Sequence, residues 1–415
     1  MSLAVQQPES VGMSAQRLDR IRPAMQAYVD QRGFAGISAM VARRGQVVYS
    51  GQVGWRDREA QLPMAADTIF RIYSMTKPVV CTALMLLYEE GRLQLVDPVA
   101  KYIPAFAATK VLSADGGLAD QSPARPMQVR DLMMHTSGLT YDFLEDSPAG
   151  QMYRDARLMN DASRSLEALV GELARIPLAF QPGTRWQYSV GIDVAAHLIE
   201  VVSGQPLGAF LQERLFGPLG MADTGFGVPA EKLGRLAAMY GHPDLCGPGM
   251  TLAGIFGAWM AGDNGRRDVS ATYPTDAPAT FVRGGHGLFS TAGDYMRFAL
   301  MLANGGAADG QRIIGRKTLE LMHTNHLPAA LLPYDIGGIP YAGYGFGLGS
   351  RVMMDVGASG GAGSVGEYGW SGAAKTYYWV DPQEQLAGVF MTQYMVGFDL
   401  PEQDLRAIAY AAIED

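Results

Sequence analysis

The chain is short of cysteine, of lysine, of net positive charge and of long apolar runs, and each shortage removes a class of protein. Two cysteines in 415 residues, Cys81 and Cys246, specify no disulfide framework. Cys81 lies in the apolar run from Val79 to Tyr88, where a small buried thiol is ordinary. A formal charge of −8 denies the basic face that nucleic acid needs and disfavours adsorption to anionic membranes. No apolar stretch reaches the length of a membrane span. The first residues, Met1-Ser-Leu-Ala-Val-Gln-Gln-Pro, have neither the basic nor the apolar segment of a secretory signal, so a cytoplasmic location is expected. Repeats and low-complexity tracts are absent as well, which excludes solenoids.

What is present is enough apolar mass for a large core, 48% of residues against 18% charged. A chain of this length favours two domains, or one domain with a large insertion. Ser14 opens a pattern through Leu18, Ile21, Met25 and Tyr28 that reads as an N-capped amphipathic helix. Ile37 to Ala42 and Gln46 to Tyr49 flank Arg43-Arg44-Gly45 as a hairpin, and a short strand from Thr68 to Ile72 runs into Ser74. Helical signals then dominate to about residue 270, with 246–265 reading as glycine-rich and irregular. After that, Gly287–Ser290 is extended and Ala292–Ala303 helical. Strands are expected at Tyr344–Met354, Lys375–Val380 and Gln385–Thr392, then a helix at Pro401–Ile413. The simplest packing is an α/β fold of the α+β type, with one antiparallel sheet built from both chain ends and flanked by the two terminal helices. Residues 1–76 and 275–415 form that unit, and 77–274 an inserted, mainly helical domain, with a substrate cleft between them.

The chemistry concentrates in three segments. In Tyr73-Ser74-Met75-Thr76-Lys77 an extended segment gives way to a helix, and a Ser and a Lys three apart share one helical face. Ser74-x-x-Lys77 is the only such pair in the chain. A serine hydroxyl needs an adjacent base to become a nucleophile, and a desolvated lysine can serve. The helix start places unpaired N–H groups where negative charge develops. Pro78 disfavours helical geometry at Lys77 but is tolerated in a first turn. The second segment, Pro182-Gly-Thr-Arg-Trp-Gln-Tyr188-Ser-Val190, is a loop able to deliver a tyrosine hydroxyl. Beside a buried ammonium, tyrosine exchanges protons readily. The third, Gly369-Trp370-Ser371-Gly372-Ala373-Ala374-Lys375, leads into a strand whose edge can hold substrate.

In this order the three segments resemble the motifs of the penicillin-recognising serine hydrolases: S-x-x-K, Y-x-N, then K-T-G or H-T-G. These hydrolases include class C β-lactamases, D-alanyl-D-alanine carboxypeptidases and family VIII esterases. Leu132-Met-Met-His135-Thr-Ser-Gly138-Leu and Gly287-Leu-Phe-Ser-Thr-Ala-Gly293-Asp are similar to the same superfamily, so the likeness covers nearly the whole chain. The resemblance implies a serine β-lactamase-like fold with Ser74 acylated and Lys77 and Tyr188 handling protons. It also implies an oxyanion hole from the Ser74 and Ala373 N–H groups, with Trp370, Ser371, Gly372 and Val190 facing substrate. Trp370 stands where the pattern has a cation for the substrate carboxylate, and Val190 where it has an amide. Both departures resemble family VIII carboxylesterases. A small-molecule ester of short acyl chain is therefore the expected substrate, without cofactor. β-Lactamase or D-alanyl-D-alanine carboxypeptidase activity, acyl transfer from the same acyl-enzyme, and a silent binding protein are the alternatives.

Other motif-like segments lack the context their chemistry requires. Gly357-Ala-Ser359-Gly-Gly361 matches the nucleophile-elbow pattern without the strand-to-helix setting it needs. His135, His197 and His286 read as structural, and Asp193 as a helix-start residue. His323-Thr-Asn-His326 has no carboxylate partner, so no metal is expected.

Overall fold

The computed structural model describes residues 3–113, 122–144, 147–275 and 281–415. Its framework follows from a strand that is apolar on both faces. All eight residues of Gly36–Arg43 are buried. Ile37, Ala39 and Val41 point to one side with Trp379 and Phe390. Met40 and Ala42 point to the other with Tyr378, Val380 and Val389. Such a strand must lie mid-sheet with helices on both sides. It pairs with Gln46–Asp57 through a turn whose Arg44 and Gly45 have φ of 51° and 77°, and with Leu386–Thr392 from the far end of the chain.

The full sheet has eight strands in the order 344–346, 351–353, 368–371, 377–381, 386–392, 36–43, 46–57 and 62–63. Every neighbouring pair is antiparallel. The terminal helices Ile21–Gln31 and Pro401–Ala411 cover one face through Ile21, Met25, Leu405 and Ala409. The other face carries Ala292–Ala303 and, beyond it, the helices of the long middle segment. A single apolar cluster runs from this inner sheet face through Thr76–Glu89, Leu166–Arg175 and Gly191–Ser203.

The structure corrects three local expectations. The Ser14 side chain caps nothing, and its helix divides into Ala15–Leu18 and Ile21–Gln31. Tyr344–Met354 is a pair of short strands, Tyr344–Phe346 and Arg351–Met353, folded back at Gly347–Ser350. The 246–265 stretch, expected to be irregular, contains a nine-residue helix, Leu252–Met260, capped by the Thr251 side chain. Its glycines hid a helical apolar pattern. Among the described residues, no single helix is long and apolar enough to cross a membrane.

Candidate active site

Ser74 is set by a short strand and a strained residue. Ile69–Arg71 pairs with Phe289–Thr291, and the chain then turns at Tyr73, whose φ of 43° is unusual for a bulky residue. Burial of Tyr73 against Tyr273, with ring centroids 4.9 Å apart, holds that conformation. A single 3₁₀ turn, Tyr73–Met75, feeds the helix Thr76–Glu89 and leaves Ser74 partly exposed at its head. Pro78 falls in the first turn, where its missing N–H has no helical partner to lose.

Lys77 is wholly buried. Its Nζ donates to Ser74 Oγ at 3.1 Å, to the Tyr141 hydroxyl at 2.9 Å and to the Gly285 carbonyl at 2.7 Å. Three acceptors match the three protons of an ammonium group. Behind it, Asp193 Oδ1 accepts the Gly285 N–H at 3.0 Å, which ties down the residue whose carbonyl holds Lys77. Burial pushes the Asp193 carboxyl up, and the nearby Lys77 charge opposes that shift. A Cβ on Gly285 would stand 2.6 Å from Asp193 Oδ2 and 2.9 Å from the Tyr141 hydroxyl, so only glycine fits between them.

Tyr188 donates its hydroxyl to Ser74 Oγ at 2.7 Å. Its ring is gripped by His135 at 4.8 Å, Tyr141 at 5.1 Å and Trp370 at 5.7 Å between centroids. Burial, then the Lys77 charge, holds His135 well below the usual imidazole range, so it stays neutral. Its Nδ1 pairs with Ser189 Oγ at 3.1 Å. Burial, then Tyr188 and Asp193, pushes the Tyr141 phenol well up.

The facing wall comes from the strand Tyr368–Ser371 and the turn after it. Trp370 is buried, edge-on to Phe346 at 5.2 Å, and its Nε1–H meets no acceptor among the described residues. At Gly372 a Cβ would lie 2.3 Å from the Ile72 carbonyl, so this turn presses on the backbone that leads to Ser74. Thr376 Oγ1 bonds the same carbonyl at 3.1 Å. The Ala373 N–H has no backbone acceptor among the described residues, and Ala373 is partly exposed.

Residues 21–413 match the family model described as Beta-lactamase. The chain belongs to the Beta-lactamase family. This Beta-lactamase family member is 34% identical over 383 residues to "Protein Rv1367c" of Mycobacterium tuberculosis, covering 91% of this chain and 90% of that one. It is 31% identical over 407 residues to "Esterase EstB" of Burkholderia gladioli, covering 94% of both. Among solved structures it is similar to "EstCE1, a hydrolase with promiscuous acyltransferase activity", with a TM-score of 0.77 and 27% identity. That match covers 95% of this chain and 99% of the other. The fold is that of the β-lactamase-like serine hydrolases.

In this Beta-lactamase family chain, Ser74, Lys77 and Tyr188 converge as their motifs imply, and the 370–373 segment lies beside them. Val190 does not join them. It is wholly buried, with its N–H bonded to the Thr140 carbonyl at 3.2 Å, and it presents no surface to a substrate. Tyr141 and Gly285 are additions that sequence reasoning missed. Tyr141 follows the His135–Leu139 stretch by two residues, which is the one local signal for it.

The distractors fall away on geometry. Ser359 ends a one-turn helix, Val356–Ser359, and donates to the Val356 carbonyl at 2.8 Å, with no side-chain base bonded to it among the described residues. His323 and His326 bond backbone carbonyls of Leu319 and Leu321. His197 pairs with Glu200 at 3.1 Å. His286 is buried against Tyr273 and Phe281. Cys81 is buried, and burial pushes its thiol up.

Proposed function

We propose that this serine hydrolase cleaves carboxylic esters of short acyl chains through an acyl-Ser74 intermediate. One observation carries the reading: Ser74 Oγ is bonded by both Lys77 and Tyr188, while a buried indole replaces the cation opposite. In the reactive state, Tyr188 in its phenolate form takes the Ser74 proton as Oγ bonds the ester carbon. Lys77 keeps its protons on Tyr141, Gly285 and the reacting oxygen. The carbonyl oxygen becomes an oxyanion facing the N–H groups of Ser74 and Ala373, each such donor supplying about 10²–10³ in rate. The intermediate collapses, and the alcohol leaves with the proton held by Tyr188. Water repeats the cycle on the acyl-enzyme.

An ester needs no charged anchor, whereas a β-lactam or peptide carboxylate entering this cleft sheds water without gaining a cation. That loss amounts to roughly 2–4 kcal/mol, about 30- to 1,000-fold in discrimination. The named activity of EstCE1 supports a second outcome, in which an alcohol replaces water as acyl acceptor. Initial rates on p-nitrophenyl esters beside a chromogenic cephalosporin, each referenced to its uncatalysed hydrolysis, test the reading. Faster acceleration of short-chain esters is the expected result. Equal acceleration of the cephalosporin overturns it.

A further inference from the structure

A surface helix normally turns polar residues to solvent. The helix Leu252–Met260 reads Leu-Ala-Gly-Ile-Phe-Gly-Ala-Trp-Met and has none to turn. Only Ile255 is buried, while Phe256 is 49%, Trp259 38% and Met260 66% exposed. Phe398, 47% exposed, completes the group, with centroids 5.6 Å from Phe256 and 4.6 Å from Trp259. Three aromatic rings facing water in one cluster do nothing for the interior, and exposed apolar patches of this kind mark ligand or partner sites.

The patch is joined to both walls of the Ser74 cleft. At the start of the helix, Leu252 N–H donates to the Phe143 carbonyl at 3.1 Å, and the Phe143 ring stacks on Tyr141 at 4.6 Å. Tyr141 is the residue bonded to Lys77. Toward its end, the helix meets the loop that carries Phe398, and that loop is stapled to the oxyanion turn. Tyr394 N–H donates to the Ala374 carbonyl at 3.2 Å, Val396 N–H to the Ala373 carbonyl at 2.8 Å, and Lys375 Nζ to the Asp399 carbonyl. A nine-residue helix about 13 Å long therefore links the segment beside Tyr141 to the loop beside Ala373.

We infer that Phe256, Trp259 and Phe398 form a subsite for a bulky apolar alcohol portion of the ester. The inference rests on the proposed short-acyl esterase: with a small acyl group on Ser74, the part of the substrate large enough to reach the rim is the alcohol. Flat or branched hydrocarbon packs on the ring faces left open by the three aromatics. A membrane surface suits the patch less well. Among the described residues Arg267 pairs with Asp263, Arg32 with Asp399 at 3.8 Å, and Lys375 donates to the Asp399 carbonyl, so these cations already have partners that compete with anionic headgroups.

The test compares wild type with a Trp259→Ser/Phe398→Ser double variant on two substrate series. One is acetates of ethanol, cyclohexanol and 1-naphthol, and the other is ethyl esters from acetate to octanoate. In wild type, kcat/KM relative to uncatalysed hydrolysis should rise along the acetate series, through KM. The double variant should lose about 10- to 50-fold of the naphthyl-to-ethyl ratio, the effect of exposing about 55–90 Å² of apolar contact. In a Ser74→Ala background, intact 1-naphthyl acetate should quench Trp259 fluorescence, measured against Trp259→Phe, and Phe398→Ser should weaken that binding. The fluorescence arm stands even where no ester turns over, so a failed esterase reading and a failed subsite are told apart. An unchanged ratio with unchanged binding overturns the subsite. Loss confined to ethyl octanoate overturns it too, together with the short-acyl reading. Patch-dependent sedimentation with phosphatidylcholine vesicles, at unaltered KM, assigns the patch to a lipid surface instead.

Discussion

The two walls of the Ser74 cleft are built to opposite rules. On one side Lys77 finds three acceptors, Asp193 holds the N–H of the residue whose carbonyl is one of them, and Tyr188 reaches the same oxygen as Lys77. Opposite stand Trp370 and Phe346, packed edge to face, with the indole N–H meeting no acceptor among the described residues. In the proposed reading the first wall handles protons, and the second selects substrate by what it omits. A family can keep its chemistry and change its substrate when these two tasks sit on separate elements.

The largest expected effect strikes the first wall at its centre. Ser74→Ala should lower kcat by roughly 10⁴–10⁶-fold, with a serine-directed phosphonate no longer labelling the protein. Ser359→Ala should retain near-full turnover, because its hydroxyl only closes a helical turn. Next, Lys77→Ala and Tyr188→Phe should each cost roughly 10²–10⁴-fold. Their double variant should be little worse than either, as expected of a single proton-handling unit. Multiplicative losses would show two independent groups and break the picture of one integrated wall.

The second wall is probed by Trp370→Lys, which restores a cation. The ratio of cephalosporin to ester kcat/KM should rise by about 10- to 100-fold, and an unmoved ratio would mean that the indole does not set the selectivity. The last effect falls on stability and not on turnover, through the cost of burial beside the first wall. Asp142 follows Tyr141, its Oδ1 meets no donor among the described residues, and burial pushes its carboxyl up to about 7. The folded protein therefore holds this proton more tightly than the unfolded chain, so the contribution is present below about pH 4 and lost as pH rises through 7. By pH 8 the penalty approaches about 4 kcal/mol. Asp142→Asn should raise Tm at pH 8 and leave it nearly unchanged at pH 4, as read by thermal melts.

Much of this arrangement was legible because its signals are local. Ser74 and Lys77 share a helical turn, Tyr188 closes a Pro-Gly-Thr loop, and the largely apolar run from Ile37 to Ala42 announces a strand. The Gly285 carbonyl was not legible, since a backbone acceptor 208 residues from its lysine leaves no side-chain signature. Asp193 was visible as a helix-start acid, but its hold on Gly285 is equally long-range. Val190 was misplaced because a motif position records its place in the chain, not which way the side chain faces. The Leu252–Met260 helix was missed because an apolar surface helix with glycines at 254 and 257 lacks the amphipathic contrast that identifies helices.

The central strand pair also sets a timetable. Gly36–Arg43 cannot meet its neighbour Leu386–Thr392 until about 350 further residues have been made. At ribosomal speeds of about 5–20 residues per second, that is a wait of about 20–70 s. Through that interval the N-terminal hairpin offers one bare, apolar edge to any other nascent chain. The protein's most exposed moment therefore comes before it is finished, at a strand that ends up wholly enclosed.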